Sequence, residues 1–384
     1  MTRNGRPRTL GIVCYPSSGG SGIVATELGL QLAHRGWEVH FITYAQPIRL
    51  KGYEENVFFH QVQTDNYPVF HHPPYTLSLA VKITEIADTH GLDVLHVHYA
   101  LPHATCAYLA RQMLLPRRLP IVTTLHGTDI TLVGVQPSFH KITRFSIEQS
   151  DRVTAVSDFL RRKTIESFGV ERSIEVIPNF VDTDLFQSQP NGGGPRVCSG
   201  RTQKVVMHAS NFRPVKNIPT VIQTFARIHD AVPSRLLLVG DGPERWQAQN
   251  EVRALGIAED VHFLGVREGM ADLLGRADLY LLPSEHESFG LSALEAMSCE
   301  VPVIATSQGG TSEVIEHGVS GFLVDPHDAE EMARIGIEVL ENPDRQRAIG
   351  RAARARVEER FAIDKVIDRY ERLYEGAMRE VVGA

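Results

Sequence analysis

Short apolar runs alternate with longer amphipathic ones along the chain. In the first half, strands are predicted at Leu10–Tyr15, Val39–Tyr44, Val57–Val62, Val94–His98, Ile121–Leu125, Val153–Val156 and Ile174–Ile177. Helical patterns lie between several of them, at Val24–Arg35, Ser78–Thr89 and Ala104–Leu115. Strands that alternate with helices predict βα units and a parallel sheet. The rhythm then breaks: Gln187 to Pro195 is polar, rich in Gly and Pro, and without periodicity, which reads as a linker. It restarts with strands at Lys204–His208, Leu236–Val239, Val261–Leu264, Leu279–Leu282 and Val303–Thr306, and helices at Thr220–His229, Arg245–Leu255, Ser292–Met297, Glu330–Leu340 and Ala348–Arg360. Two α/β domains are therefore expected to meet near residue 190. Sites in such proteins lie at the carboxyl ends of strands and, in a two-domain chain, in the cleft.

Composition narrows the function classes. A length of 384 residues suits two domains, and 42% hydrophobic with 22% charged residues excludes a disordered, collagen-like or disulfide-scaffold chain. The net charge of −7 argues against a general nucleic-acid binder, although an anion can still be held where a few cations or N–H groups converge. Cys14, Cys106, Cys198 and Cys299 are far apart and form no C-x-x-C pair, so structural zinc is disfavoured and reduced thiols in a cytoplasmic protein are expected. The basic N-terminus runs into a strand rather than a signal-peptide core, and no stretch approaches the ~18 apolar residues of a membrane span.

Four segments carry candidate chemistry. The first strand ends in Tyr15-Pro16-Ser17-Ser18-Gly19-Gly20-Ser21-Gly22, with a helix expected from about Gly22. Glycines let a ligand approach the backbone, and a helix N-terminus favours an anion, but this is neither G-x-G-x-x-G nor a P-loop. Leu125-His126-Gly127-Thr128-Asp129 follows another strand; His126 is a donor to a sugar hydroxyl or a ring tied to a loop carbonyl. No G-x-S-x-G elbow accompanies it to complete a Ser-His-Asp triad. Arg213 and Lys216 stand three apart at a strand–helix junction, as a diphosphate site or a solvated pair. Finally, Glu287 and Glu295 flank Ser288-Phe289-Gly290-Leu291. Glu295 sits on an apolar helix face and needs a partner, which a ligand hydroxyl would supply. The loop offers N–H groups at a helix N-terminus.

Other patterns are weaker. Asp182-Thr183-Asp184 spells D-x-D but leads into the linker, which is a poor context for a metal. His96 and His98 share a strand face, with His103 following, and read as structural. The arginine-rich helix Ala348–Arg360 alternates with Glu358 and Glu359 and reads as a solvated face.

Together, the E-x7-E element, Arg213/Lys216, Val239-Gly240-Asp241-Gly242-Pro243 and Pro178-Asn179-Phe180-Val181-Asp182 resemble the retaining GT-B glycosyltransferases over nearly the whole chain. The glycine loop, His96-Val97-His98-Tyr99, Leu125 to Thr131, and Arg144 before Ile147 to Asp151 resemble the branch that glycosylates L-malate. The resemblance implies two Rossmann-like domains facing across a cleft: residues 1–190 for the acceptor, joined by a last helix over 361–384, and 191–360 for the nucleotide sugar. It implies that Arg213 and Lys216 neutralise the diphosphate of UDP-N-acetylglucosamine. Glu295 holds the ribose, Glu287 and the N–H groups of Ser288, Phe289, Gly290 and Leu291 contact sugar and phosphates, and Gly20 approaches the diphosphate. His126 faces the sugar's hydroxymethyl side. Ser21, Tyr99, Thr124 (or Thr123) and Arg144 contact malate. Backbone near Gly265–Glu268 reads the uracil. Chemistry is front-face substitution without a metal or other cofactor, since no carboxylate nucleophile is supplied. The expected partners are the two substrates and a second copy of the chain, with neither nucleic acid nor membrane. A different acceptor (an inositol, lipid or glycan) and a non-catalytic nucleotide-sugar sensor are the alternatives. Arg144 weighs against a lipid acceptor, and intact Glu287, Lys216 and His126 weigh against a sensor.

Overall fold

The structure, a computed structural model, describes residues 6–17, 19–64, 72–188 and 203–382. The chain divides into one unit of Met1–Pro178 with Val366–Ala384 and a second of Asn179–Lys365. The glycines Gly192, Gly193 and Gly194 of the anticipated linker, and Cys198, lie outside the described residues.

The first unit contains β1 (Thr9–Val13), α1 (Gly20–His34), β2 (Glu38–Thr43), β3 (Val57–Gln61), α2 (Tyr75–His90), β4 (Val94–His98), α3 (Thr105–Met113), β5 (Ile121–Leu125), α4 (Pro137–Glu148), β6 (Arg152–Ala155), α5 (Asp158–Phe168) and β7 (Ile174–Val176). Its seven strands run in the order β3-β2-β1-β4-β5-β6-β7, every neighbouring pair parallel. The second unit contains β8 (Lys204–Ala209), α6 (Ile218–Ala231), β9 (Ser234–Val239), α7 (Arg245–Ala254), β10 (Val261–Gly265), α8 (Met270–Leu274), β11 (Leu279–Leu282), α9 (Leu291–Ser298), β12 (Val303–Thr306), α10 (Thr311–Val314), β13 (Phe322–Val324), α11 (Ala329–Glu341) and α12 (Pro343–Arg360). Its six strands run β10-β9-β8-β11-β12-β13, again all parallel. The last helix, α13 (Ile363–Val382), belongs to the first unit from Val366 onward.

Helices cover both faces of such sheets, so central strands bury every position and read as unbroken apolar runs. β1, β4, β5 and β11 are buried throughout, and all four lie where the runs predict them. Several elements were not anticipated: α4, α5, α8, α10 and the three-residue β13. The buried face of α4 is Thr143, Ser146 and Ile147, which has little apolar periodicity. Its hydroxyls are satisfied locally, Thr143 donating to the Phe139 carbonyl at 2.8 Å and Ser146 sharing a 2.7 Å bond with Thr105. α5 is announced by Ser157, whose hydroxyl accepts from the Leu160 N–H, and stopped by Gly169 in the left-handed region.

The division falls after Pro178 and after Lys365 rather than at residues 190 and 360, and the chain returns to the first unit at its last helix. Val181 N–H donates to the Phe361 carbonyl at 3.0 Å and Ile363 N–H donates to the Val181 carbonyl at 3.1 Å, while Phe361 packs edge-on against Phe289. These contacts keep residues 179–188 and 361–365 with the second unit. Beyond Val366, α13 is stitched to the first unit: Trp37 Nε1 donates to Glu371 at 2.9 Å, and the Tyr374 hydroxyl is 2.7 Å from His96 Nδ1 in the core.

Tyr374→Phe leaves that buried nitrogen without its partner, which costs about 1–3 kcal/mol. A lower denaturant midpoint at unchanged slope is expected for this variant. A midpoint equal to wild type would show that the contact contributes nothing.

Candidate active site

Each sheet has one place where consecutive strands depart in opposite directions, and a crevice opens at the strand carboxyl ends there. In the first unit this is between β1 and β4, and in the second between β8 and β11. All four segments singled out in the sequence follow strands at or beside these two points.

In the second unit, β8 and β11 are adjacent, so the loops that leave them meet. Glu285 N–H donates to the Val215 carbonyl at 2.9 Å, joining the two loops. Lys216 ends a single 3-10 turn (Pro214–Lys216), and its Nζ donates to Glu287 Oε2 at 2.7 Å. The two side chains retain only 22% and 15% of their exposure, so the pair is largely dry. Burial pushes the Glu287 carboxyl up, but the Lys216 charge and hydrogen bond and the Phe289 N–H outweigh it, and the group is held below its ordinary value. Glu287 is thus an ionised partner for Lys216 rather than a proton donor. Its own carbonyl accepts from Gly310 N–H at 2.8 Å. Gly309 has φ +95°, and a Cβ there would stand 2.1 Å from that carbonyl, so only glycine fits.

Arg213 is exposed and has no ion-pair partner among the described residues. Phe289 is buried and Ser288 partly so; Gly290 precedes α9, whose start at Leu291 has no side-chain cap. Glu295 lies on α9 at 8% exposure, beside buried Leu294 and Ala296. Sequence reading passed over His208, which shapes the loop before Arg213. Its Nδ1–H donates to the Leu281 carbonyl at 2.8 Å and its Nε2 lies 2.8 Å from the Ser210 hydroxyl. Asp182, of the D-x-D pattern, accepts from Asp184 and Leu185 N–H at 2.9 and 3.0 Å and serves as a turn cap.

In the first unit, α1 begins at Gly20 rather than Gly22, with no side-chain cap and no acidic residue in its first turn. A Cβ on Gly22 would stand 2.5 Å from the Ser17 carbonyl and 2.6 Å from that of Tyr15, so the helix start packs directly on the loop backbone. Tyr99 follows β4 with φ +86°, and its hydroxyl donates to Ser21 at 2.7 Å. Gly20, Ser21 and Tyr99 are therefore brought together. The Tyr99 ring lies 5.1 Å from that of His126, whose Nε2 shares a 2.8 Å hydrogen bond with His98 Nδ1. The His126 ring is thus fixed by a second imidazole, not by a loop carbonyl.

Asp129 organises this corner. Sequence reading gave it no part in the chemistry. Its buried carboxylate accepts from Ala100 N–H at 2.8 Å and Gly127 N–H at 3.1 Å, with His126 N–H more distant at 3.4 Å. The signal was available as an acid three residues after His126. The two threonines are occupied internally: Thr124 bonds His96 and Thr154, and Thr123 bonds Ser150, all at 2.7 Å. Arg144 is exposed on α4. The i+4 pair with Glu148 is not formed, because that carboxylate accepts from Glu171 N–H at 2.6 Å.

Residues 199–356 match the family described as "Glycosyl transferases group 1" and residues 18–185 match "Glycosyltransferase Family 4". N-acetyl-alpha-D-glucosaminyl L-malate synthase of Bacillus anthracis is 47% identical over 377 residues, 97% of each chain. D-inositol 3-phosphate glycosyltransferase of Mycolicibacterium smegmatis is 28% identical, over 94% of this chain and 87% of that one. Among solved structures, Anabaena Alr3699/HepE in complex with UDP and glucose superposes with a TM-score of 0.81 at 22% identity, over 96% of this chain and 100% of that one. The chain belongs to the group 1 glycosyltransferases, and its two parallel-sheet units are those of the GT-B fold. Among the described residues, no helix is long and apolar enough to cross a membrane.

The electrostatics of the first unit set a pH dependence. Burial, with neighbouring histidines, pulls His96 and His126 down to about 3 and His98 well below its ordinary value; burial alone takes His103 to about 4. All four are neutral at pH 7. Unfolded, they take up protons near 6.5, so stability falls as pH drops below that value, by up to about 1.4 kcal/mol per group per pH unit. Asp129 acts in the opposite sense: burial outweighs its N–H donors and raises it to about 6, so the folded state keeps its proton to higher pH. It offsets one histidine. Urea unfolding at pH 7.5 and pH 5 should show a loss on the order of several kcal/mol at the lower pH. A flat profile would mean these rings are not buried neutral.

Proposed function

We propose that this chain transfers N-acetylglucosamine from UDP-N-acetylglucosamine to the hydroxyl of L-malate with retention, giving the glycoside that begins bacillithiol biosynthesis. The observation that carries this reading is the 47% identity to the named synthase along 97% of both chains. The disposition of Arg144 supports it, since an exposed guanidinium without an ion-pair partner among the described residues is available to an acceptor carboxylate.

In this mechanism the malate hydroxyl oxygen bonds to the anomeric carbon on the face from which the UDP oxygen departs, and its proton passes to the departing phosphate. Charge that grows on the phosphate is met by Lys216, Arg213, the N–H groups at Ser288 to Leu291 and the start of α1 at Gly20. Glu287 holds Lys216 extended before the donor arrives. Glu295 takes the ribose hydroxyls. His126 is neutral, so toward the sugar it donates or accepts a hydrogen bond rather than a proton. Asp129 is no nucleophile, because its oxygens are occupied by backbone N–H groups. Malate is held by Arg144, Ser21 and Tyr99, and Thr124 contributes by positioning the β5 end, where its carbonyl accepts from Tyr99 N–H.

UDP release measured with and without malate tests the assignment directly: release must depend on malate. Release raised equally by an inositol would move the acceptor elsewhere. Activity should survive excess EDTA, and a loss restored by Mg²⁺ or Mn²⁺ would overturn the cation-only account.

Arg144→Ala removes one partner of a charge pair that the bound acceptor would desolvate, a loss that costs roughly 2–5 kcal/mol, so kcat/KM for malate should fall about 30-fold to a few thousand-fold. Donor affinity should barely change, and lysine should rescue only partly. Malate kinetics within about twofold of wild type would remove Arg144 from the acceptor site.

Lys216→Ala should cost about 3–4 kcal/mol in kcat, with KM for malate little changed. A variant with wild-type kcat and only a raised donor KM would refute its transition-state role.

A further inference from the structure

Three histidines converge at the edge of the first unit's sheet, outside the residues assigned to glycosyl transfer. His40 lies on β2, His60 on the edge strand β3, and His90 is the last residue of α2. In the parallel register His40 pairs with Phe58 and Ile42 with His60, so His40 and His60 share one sheet face. One ring nitrogen from each of the three histidines lies within 4.8 Å of the other two. His40 Nδ1 and His60 Nε2 are 2.8 Å apart, and the His90 ring centre is 4.4 Å from that of His40. His40 is fully buried, whereas His60 and His90 are partly exposed and open the cluster to solvent.

We propose that His40, His60 and His90 form a binding site for a divalent transition metal of the zinc class, with water as the fourth ligand.

The donor set fits that ion. Imidazole nitrogens suit Zn²⁺, Ni²⁺ and Cu²⁺, and three protein ligands with one open position is an established zinc arrangement. Tetrahedral bonds of about 2.0–2.1 Å place ligand nitrogens about 3.4 Å apart. The cluster brackets that separation, from 2.8 Å to the 4.8 Å limit, so modest ring rotations complete it. His40 Nε2 lies 2.9 Å from Glu38 Oε1. A carboxylate there fixes the proton on Nε2 and leaves the Nδ1 lone pair facing the cluster, the usual outer support of a metal-bound histidine. Ring stacking explains His40 against Phe58, but it does not explain three converging nitrogens backed by a carboxylate. Lys82 and Glu85, the other charged groups near His60, pair with each other at 2.7 Å. A bound ion would tie β3, β2 and the end of α2 together, closing the sheet edge.

The test uses the full, untagged chain, stripped with EDTA and titrated with Co²⁺ and then Zn²⁺. One Co²⁺ per chain is expected, with the visible bands of a tetrahedral site, no thiolate charge-transfer band, and displacement by Zn²⁺. The unfolding temperature should rise with Zn²⁺ concentration. His60→Ala and His90→Ala should abolish both signals, and His327→Ala, at an exposed histidine in the other unit, should change neither. Glu38→Gln should weaken binding about tenfold to a hundredfold, and it decides the matter if an alanine variant does not fold. Absence of the Co²⁺ spectrum, or binding indifferent to His60, His90 and Glu38, would overturn the proposal. Because the readouts are spectral and thermal, the result is independent of the transfer reaction.

Discussion

Every neighbouring strand pair in both sheets is parallel, and this constraint governs where chemistry can sit. Parallel strands need crossover helices on both faces, so the sheet interior is sealed from water. Polar side chains are left with the strand ends and the loops beyond them. With all strands pointing one way, these loops gather on a single rim, and the reversal of strand order opens that rim beside β1 and β4 and beside β8 and β11. Lys216 and Glu287 are 71 residues apart in sequence and 2.7 Å apart in space because β8 and β11 are neighbours. His98 and His126 meet for the same reason, at the ends of β4 and β5.

A polar line crosses the interior of the first unit. Tyr374, His96, Thr124 and Thr154 are linked by successive 2.7 Å hydrogen bonds across α13, β4, β5 and β6. A neutral imidazole has one donor and one acceptor, so His96 donates along one of its two bonds and accepts along the other. A buried network of this kind is tolerable only when complete, and here each member is used. It stiffens the strand ends that carry His126 and Tyr99. Tyr99 itself sits in the left-handed region, a strain of about 1–3 kcal/mol for a residue with a side chain. Its N–H bond to the Thr124 carbonyl and its hydroxyl bond to Ser21 hold it there.

How much of this is legible in the sequence depends on the kind of residue that is buried. Strands such as Leu279–Leu282 announce themselves because burial on both faces demands apolar side chains. The helix Pro137–Glu148 does not, because threonine and serine face inward and satisfy their hydroxyls on nearby groups. The segments carrying candidate chemistry were legible because glycines and charges at strand ends stand out from their surroundings. What those groups touch was not. Asp129 and His208 are long-range organisers whose partners, Ala100 and Leu281, are fixed by sheet order rather than by spacing. The unit boundary near Pro178 was also hidden, since it rests on backbone bonds between Val181 and Phe361, which any sequence could make.

The Lys216–Glu287 pair has a bearing on turnover. A lone lysine in a half-dry pocket would meet a diphosphate as an unbalanced charge and would hold the leaving nucleotide as firmly as the incoming one. Glu287 supplies a built-in counter-ion at 2.7 Å. In the proposed reaction the ligand must compete with that carboxylate for the ammonium group, and when the nucleotide departs the carboxylate takes it back. Lys216 thereby regains its counter-ion without waiting for ions from solution, and the same contact orients the ammonium group for the next donor.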